Sequence, residues 1–286
     1  MLKYRLITGP LLILLILGVV ALDERFDAAG IGPRGWLLLL IALVAGGLAA
    51  VEMTRIIQAN ALRTNIALTI AAVWAGTLAM YFGAHAETLA AGMLLPTSLT
   101  SVFVVSLLMF SRGNNVSGVL PAAGAVILAM AYLGVLLGFF LALRQHHSAW
   151  WIVGVVLTTK SCDIGAYFTG TAIGRHKLIP WLSPGKTWEG LAGGVVFATL
   201  VGLGMAAMSR WLADPTDHIP LWLGAIAGGV FAVVGQLGDL AMSLFKRGAG
   251  VKDSSRILPG MGGVLDVIDS PLLVAPVAYW LLVLII

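Results

Sequence analysis

SGVLPAAGAVILAMAYLGVLLGFFLAL, residues 117–143, decides the class of fold. No Asp, Glu, Lys, Arg or His interrupts it. It exceeds the roughly 20 apolar residues a helix needs to cross a bilayer, so a tilted span or an interfacial extension is expected. Runs of the same character recur on both sides of it, over about 6–22, 35–51, 65–83, 94–110, 149–168, 188–209, 220–243 and 270–286. The whole chain is 59% hydrophobic and 10% charged, where a soluble domain carries about 25% charged residues. The expected fold is therefore all-α: a polytopic integral membrane helical bundle of about nine transmembrane helices. A net charge of +4 in such a chain is no sign of nucleic acid. Its basic residues set orientation and meet anionic membrane lipid.

Orientation follows from Lys and Arg. With the N-terminus cytoplasmic, twelve of them, among them Lys3, Arg5, Arg55, Arg63 and Arg112, fall on the inner side. Arg25, Arg34, Arg144 and Arg210 fall on the outer side, and Lys160 lies within a span. That bias satisfies the positive-inside rule. Trp36, Trp150, Trp151, Trp181, Trp188, Trp211 and Trp222 stand near the ends of runs, where an aromatic belt belongs. Lys3 and Arg5 ahead of an apolar core, with Val19-Val20-Ala21 after it, have some features of a signal peptide; a retained span is the preferred reading. Cys162 has no disulfide partner and is expected to be buried and inert.

Two polar segments, 168–187 and 244–269, break this pattern. An even number of spans separates them, so they share one side and are expected to converge. Gly238–Ser270 carries Asp239, Lys246, Arg247, Lys252, Asp253, Arg256, Asp266 and Asp269. A mixed cluster of this density beside a membrane marks a functional site. Carboxylates set among Lys and Arg suit divalent metal and phosphate together. If the preceding span continues as a helix, Asp239, Ser243 and Lys246 or Arg247 share a face. Pro259-Gly260 and Gly262-Gly263 form a turn poor in side chains, which lets backbone approach a ligand and offer N–H groups to an anion. Asp269-Ser270-Pro271 has the form of a helix start, with a capping acid and Pro in the first turn.

In the other segment, Asp163 ends an apolar run and wants a metal or a base such as Lys160. Ser183-Pro184-Gly185-Lys186-Thr187 resembles the end of a nucleotide-binding P-loop. Pro180 stands where that motif needs Gly and no strand is expected ahead of it, which excludes a P-loop. Lys186 still follows a Pro-Gly turn at a helix start, with Thr187 or Ser183 as cap and Glu189 in the first turn, a geometry for phosphate. His176, between Arg175 and Lys177, is read as a phosphate contact. His146 and His147 are read as outer surface residues, Glu52 with Arg55 as a structural pair, and Asp214, Asp217 and His218 as a solvated turn.

The segment from Ser243, S-L-F-K-R-x4-K-D-x5-P-G-x-G-G-x-x-D-x-x-D, resembles the signature of the phosphatidate cytidylyltransferases, or CDP-diacylglycerol synthases. The upstream D-x-G-A-Y-F-x-G, G-R-H-K-L and S-P-x-K-T-W-E-G-x-x-G-G, from Asp163 to Gly194, are similar to that family too. Met261 and Val267 stand where the family usually has His and Arg. The resemblance implies a nucleotidyltransferase that makes CDP-diacylglycerol and pyrophosphate from CTP and phosphatidate in the bilayer. It implies one or two Mg²⁺ ions, held by Asp239 and Asp266 with Asp163, Asp253 or Asp269 assisting. Lys246, Arg247, Lys252, Asp253, Asp266 and Asp269 are the expected catalytic set. Ser183, Lys186, Thr187, Ser243, Arg256, Gly262 and Gly263 are expected to bind substrate. One membrane-embedded domain over 1–286 would place N-terminal spans in 1–148 and catalytic spans with their loops in 149–286. The expected location is the inner cell membrane with these loops cytoplasmic; a homodimer stays open. The competing classes are another lipid phosphotransferase, such as a polyprenol kinase, and a lipid transporter or binder without chemistry.

Overall fold

The computed structural model describes residues 2–85, 88–111, 116–212 and 218–283. Arg112, Asp214 and Asp217 lie outside the described residues, as do the side chains of Lys3 and Arg5. The elements in order are α1 (Leu2–Ala28), α2 (Trp36–Ala59), α3 (Ile66–His85), α4 (Leu89–Gly92), α5 (Leu94–Phe110) and α6 (Val119–Ala129). A π-helical turn (Met130–Val135) joins α6 to α7 (Leu136–His146), and α8 (Trp150–Ile173) follows. Then come β1 (Lys177–Ile179), β2 (Ser183–Thr187), α9 (Trp188–Leu212), α10 (Leu221–Gly248) and α11 (Val264–Val283). Each apolar run of the sequence has its helix. Seven of the described helical stretches are long and apolar enough to cross a membrane; α1 and α8, the latter with Lys160 and Asp163 in its length, are not among them. Their outward side chains are apolar, as Val44, Leu108, Val196 and Leu237 illustrate. This is a multi-pass helical membrane protein.

The chain divides into two compact units, Met1–Gln145 with Phe245–Val267, and His146–Leu244 with Ile268–Ile286. The segment 245–267, which the sequence places with the C-terminal spans, thus packs with the N-terminal helices.

In the first unit, α2 and α3 approach closely at Gly46, where a Cβ would lie 3.2 Å from Val73 and Leu137. The π turn sets a carbonyl free of the regular helix ladder. The Thr77 hydroxyl, 3.0 Å from the Val73 carbonyl, also reaches the Gly134 carbonyl at 3.2 Å. Residues 117–143 are thus not one continuous α-helix. Arg144, expected in an outer loop, is fully buried. Its Nε bonds to Asp23 at 2.7 Å and its Nη2 to Asp27 at 2.9 Å, with Glu24 at 3.7 Å. A buried guanidinium must be satisfied in this way, and it ties α7 to α1.

In the second unit, small residues let backbones meet, as they do between membrane helices. Gly165 on α8 faces Gly193 and Gly194 on α9, and Gly228 on α10 faces Ala198 on α9. Cys162 is buried and unpaired, as expected. Trp151 is buried instead of lying in a belt. It stacks on His147 with ring centroids 4.0 Å apart, so His147 is no surface residue. His146 packs its ring edge-on against Tyr279.

Two boundaries differ from those expected. The span read as 220–243 runs on to Gly248, placing Lys246 and Arg247 in the last turn of α10, where cations favour the helix dipole. α11 begins at Val264, so Pro271 lies inside it and Asp269 does not cap it. Neighbouring groups in a membrane bundle tolerate such a proline. A hairpin also interrupts the all-α pattern: β1 and β2 pair antiparallel, Lys177 opposite Thr187 and Ile179 opposite Ser183.

Candidate active site

In the first unit, the end of α10, the loop after it and the start of α11 are held by two carboxylates. Asp266 Oδ1 receives Lys246 Nζ at 2.6 Å, with both side chains nearly buried. Asp266 Oδ2 accepts from the backbone N–H groups of Ser254 and Gly263, each at 2.9 Å. Glu52, fully buried on α2, accepts from Ser255 Oγ at 2.6 Å and from the N–H groups of Val264 and Leu265 at 3.0 and 2.9 Å. Those are among the first amides of α11, which have no partner within their own helix. Glu52 therefore caps α11 from another helix, and its charge suits the positive end of the dipole. That cap explains why α11 starts at Val264. The Ser254 hydroxyl lies 2.9 Å from both carboxylates and has one proton to share between them.

The glycines of the turn serve the same arrangement. A Cβ at Gly262 would strike the Asp266 carboxylate, and one at Gly263 would strike Ser254 Oγ and Glu52. Gly262 also sits at φ +95°, which L side chains rarely adopt. The close approach expected toward a ligand is made toward this chain's own carboxylates. Glu52 makes no ion pair with Arg55 among the described residues. Arg247 bonds the Val251 carbonyl at 3.3 Å and is exposed, while Lys252, Asp253 and Arg256 are exposed on the loop.

In the second unit, β2 delivers Lys186 to Asp239 on α10, with which it forms an ion pair. Thr187 ends the strand and caps α9, its Oγ1 accepting from Gly190 N at 3.1 Å. Ser183 instead lies at the start of β2. Glu189 accepts from the N–H groups of Arg175 and His176 and lies 2.6 Å from His176 Nδ1. The partner of His176 is thus Glu189. Lys160 on α8 bridges Asp163 at 3.7 Å and Asp269 at 3.5 Å, and also reaches Ser270 Oγ at 3.3 Å. Asp163 is half exposed and Asp269 buried. Ser243 is half-buried on α10. A cavity of about 170 Å³ is lined by Asp163, Tyr167, Lys186, Thr187, Gln236 and neighbouring small or apolar residues.

Oxygen-only donors are what Mg²⁺ takes, and Asp163, Asp239 and Asp269 supply them. As they stand, no three carboxylates among the described residues converge on one point. Each instead faces an ammonium, Lys160 or Lys186. Asp266 Oδ2 is enclosed by donors, and Oδ1 would serve a metal only if Lys246 gave way.

Glu52 is the residue of this arrangement hardest to see in the sequence. It is an acid in the apolar run around α2, and that alone marks it as costly unless satisfied. Its partners lie some 200 residues away.

The sequence profile of the Cytidylyltransferase family matches residues 3–285. The chain is 42% identical over 164 residues to a protein of Bacillus subtilis strain 168 named phosphatidate cytidylyltransferase, a match covering 56% of this chain and 58% of that one. It is 33% identical over 251 residues to the protein of that name from Staphylococcus aureus strain COL, covering 87% of this chain and 92% of the relative. By the match of the profile over almost the whole length and by the relative covered to 92%, the chain belongs to the cytidylyltransferase family.

Proposed function

We propose that the chain transfers the cytidylyl group of CTP to phosphatidate, giving CDP-diacylglycerol and pyrophosphate for phospholipid synthesis. Family membership supports the reaction. The observation that carries the local chemistry is the Lys186–Asp239 pair, set beside the capped start of α9 and a cavity. A phosphate oxygen of phosphatidate attacks the α-phosphorus of CTP; the bond from that phosphorus to the bridging oxygen breaks, and pyrophosphate leaves with the electron pair. The nucleophile is already anionic at neutral pH, so no general base is needed, and no histidine of the described residues is placed as one. The demand is to bring polyanions together and stabilise charge on the leaving group, which fixed cations do. Lys186 contacts phosphate at the α9 N-terminus, where the positive end of the helix dipole favours anions. Lys246, held by Asp266, is the corresponding cation of the first unit. Mg²⁺, held by Asp239 with Asp163 or Asp269, would add charge neutralisation at the phosphates. The polar loops face the cytoplasm of a cell membrane, where CTP is found, and phosphatidate enters from the bilayer.

The test is incorporation of label from [α-³²P]CTP into lipid by the purified protein, with and without phosphatidate and Mg²⁺. Label in CDP-diacylglycerol that requires both is expected. Transfer of label from the γ-phosphate instead would make the protein a lipid kinase, and no transfer would sink the enzyme reading. Asp239→Asn, which removes the charge facing Lys186, is expected to lower kcat at least about 100-fold, the scale of losing one preorganised electrostatic contact. Wild-type turnover in that variant would overturn the role given to Asp239.

A further inference from the structure

We propose that Gln236 is a substrate-binding residue, its amide nitrogen donating to a phosphate oxygen seated in the cavity beside Lys186; the proposal rests on the cytidylyltransferase reading. Gln236 lies on α10, one turn before Asp239, so both point to the same side of that helix. It is 8% exposed, and its Nε2 is buried with no hydrogen-bond partner among the described residues. A buried donor left unmade is costly, and native structures seldom keep one without a reason. Gln236 lines the same cavity as Lys186, Thr187, Gly185, Gly190 and Asp163, whose carboxylate is paired with Lys160.

What the cavity accepts follows from its other donors. Lys186 contributes an ammonium. Thr187 and Gly190 bring the capped first turn of α9, the positive end of that helix's dipole. A neutral amide donor beside an ammonium and a helix N-terminus asks for a shared anionic acceptor. Its volume of about 170 Å³ is below the roughly 300–1,000 Å³ of sites that hold a whole small molecule. It therefore suits a phosphoryl group and not an entire nucleotide. Two substrates carry such a group, the triphosphate of CTP and the headgroup of phosphatidate, and kinetics separate them.

Gln236→Met keeps the length and removes the donor. If the amide only filled space, the variant would lose nothing in binding. If it awaits an acceptor, the variant gains stability without substrate and binds substrate worse. The expected result is a Tm in detergent equal to or above wild type. The KM for one substrate should rise about ten- to a hundred-fold, the worth of a hydrogen bond to a charged acceptor. A rise for CTP alone assigns the triphosphate; a rise for phosphatidate alone assigns the lipid headgroup. Unchanged KM for both, with or without a fall in Tm, overturns the proposal. Gln236→Leu repeats the test with a second apolar side chain. Binding of inorganic phosphate, the group the two substrates share, read as a thermal shift, needs no turnover. It should half-saturate at about ten-fold higher concentration in Gln236→Met, and equal binding in variant and wild type overturns the proposal even if the wild type proves inactive, a result that would count separately against the enzyme reading.

Discussion

Glu52→Ala should lose turnover by about 100-fold or more while its helices remain. The carboxylate it removes receives the Val264 and Leu265 amides, the Ser255 hydroxyl and a share of the Ser254 hydroxyl, and it is fully buried. Each buried donor left without an acceptor costs about 1–3 kcal/mol. Loss of the cap frays the start of α11, and Asp266 lies within that first turn. Lys246 then loses its fixed partner. A misplacement of about 1 Å at a reacting centre is enough for a 100-fold loss. The loop 252–263 should also become open to protease. Glu52→Gln keeps the shape and one strong acceptor, and should fall between the two. Wild-type kcat and intact protease resistance in Glu52→Ala would refute the role given to this residue.

Arg144→Met should destabilise the first unit by about 3–5 kcal/mol, because it leaves the buried carboxylate of Asp23 without its counter-charge. Arg144 itself is fully buried and bonded to Asp23 and Asp27. The measurement is unfolding in detergent followed by circular dichroism. Replacing Asp23 by Leu in the same chain should recover much of the loss, since an apolar pair of similar volume can stand in for a buried ion pair. A single variant as stable as the wild type would show that the network contributes little.

These two residues also show what could and could not be read beforehand. The apolar runs located the helices because a bilayer demands unbroken hydrocarbon, and that demand is local in the chain. Thr187 as a cap and Lys186 beside it were legible for the same reason, since a cap and its amide lie three residues apart. Lys246 in a helical last turn was legible only on the condition that the span read as ending at 243 continued as a helix. Glu52 and Arg144 were not, because their partners are remote in sequence and nothing in spacing points to them. The start of α11 was misplaced because Asp269-Ser270-Pro271 has the local form of a helix start, while the group that caps the true start belongs to α2. The β1–β2 hairpin hid in a stretch too short and polar to show strand alternation, and Gly262-Gly263 gave the right signal of close approach without saying to what.

The π turn of residues 130–135 bears on how chain length can vary here. Each residue of an α-helix advances the side chains by about 100°, so a deletion within α3 would rotate all that follows to a new face. A π turn holds one residue more than the α path across the same distance requires. Removing that residue would let the stretch relax to regular α-helix with α6 and α7 still in phase, and Arg144 would keep facing Asp23. The shortened helix would forfeit the acceptor that Thr77 finds at Gly134.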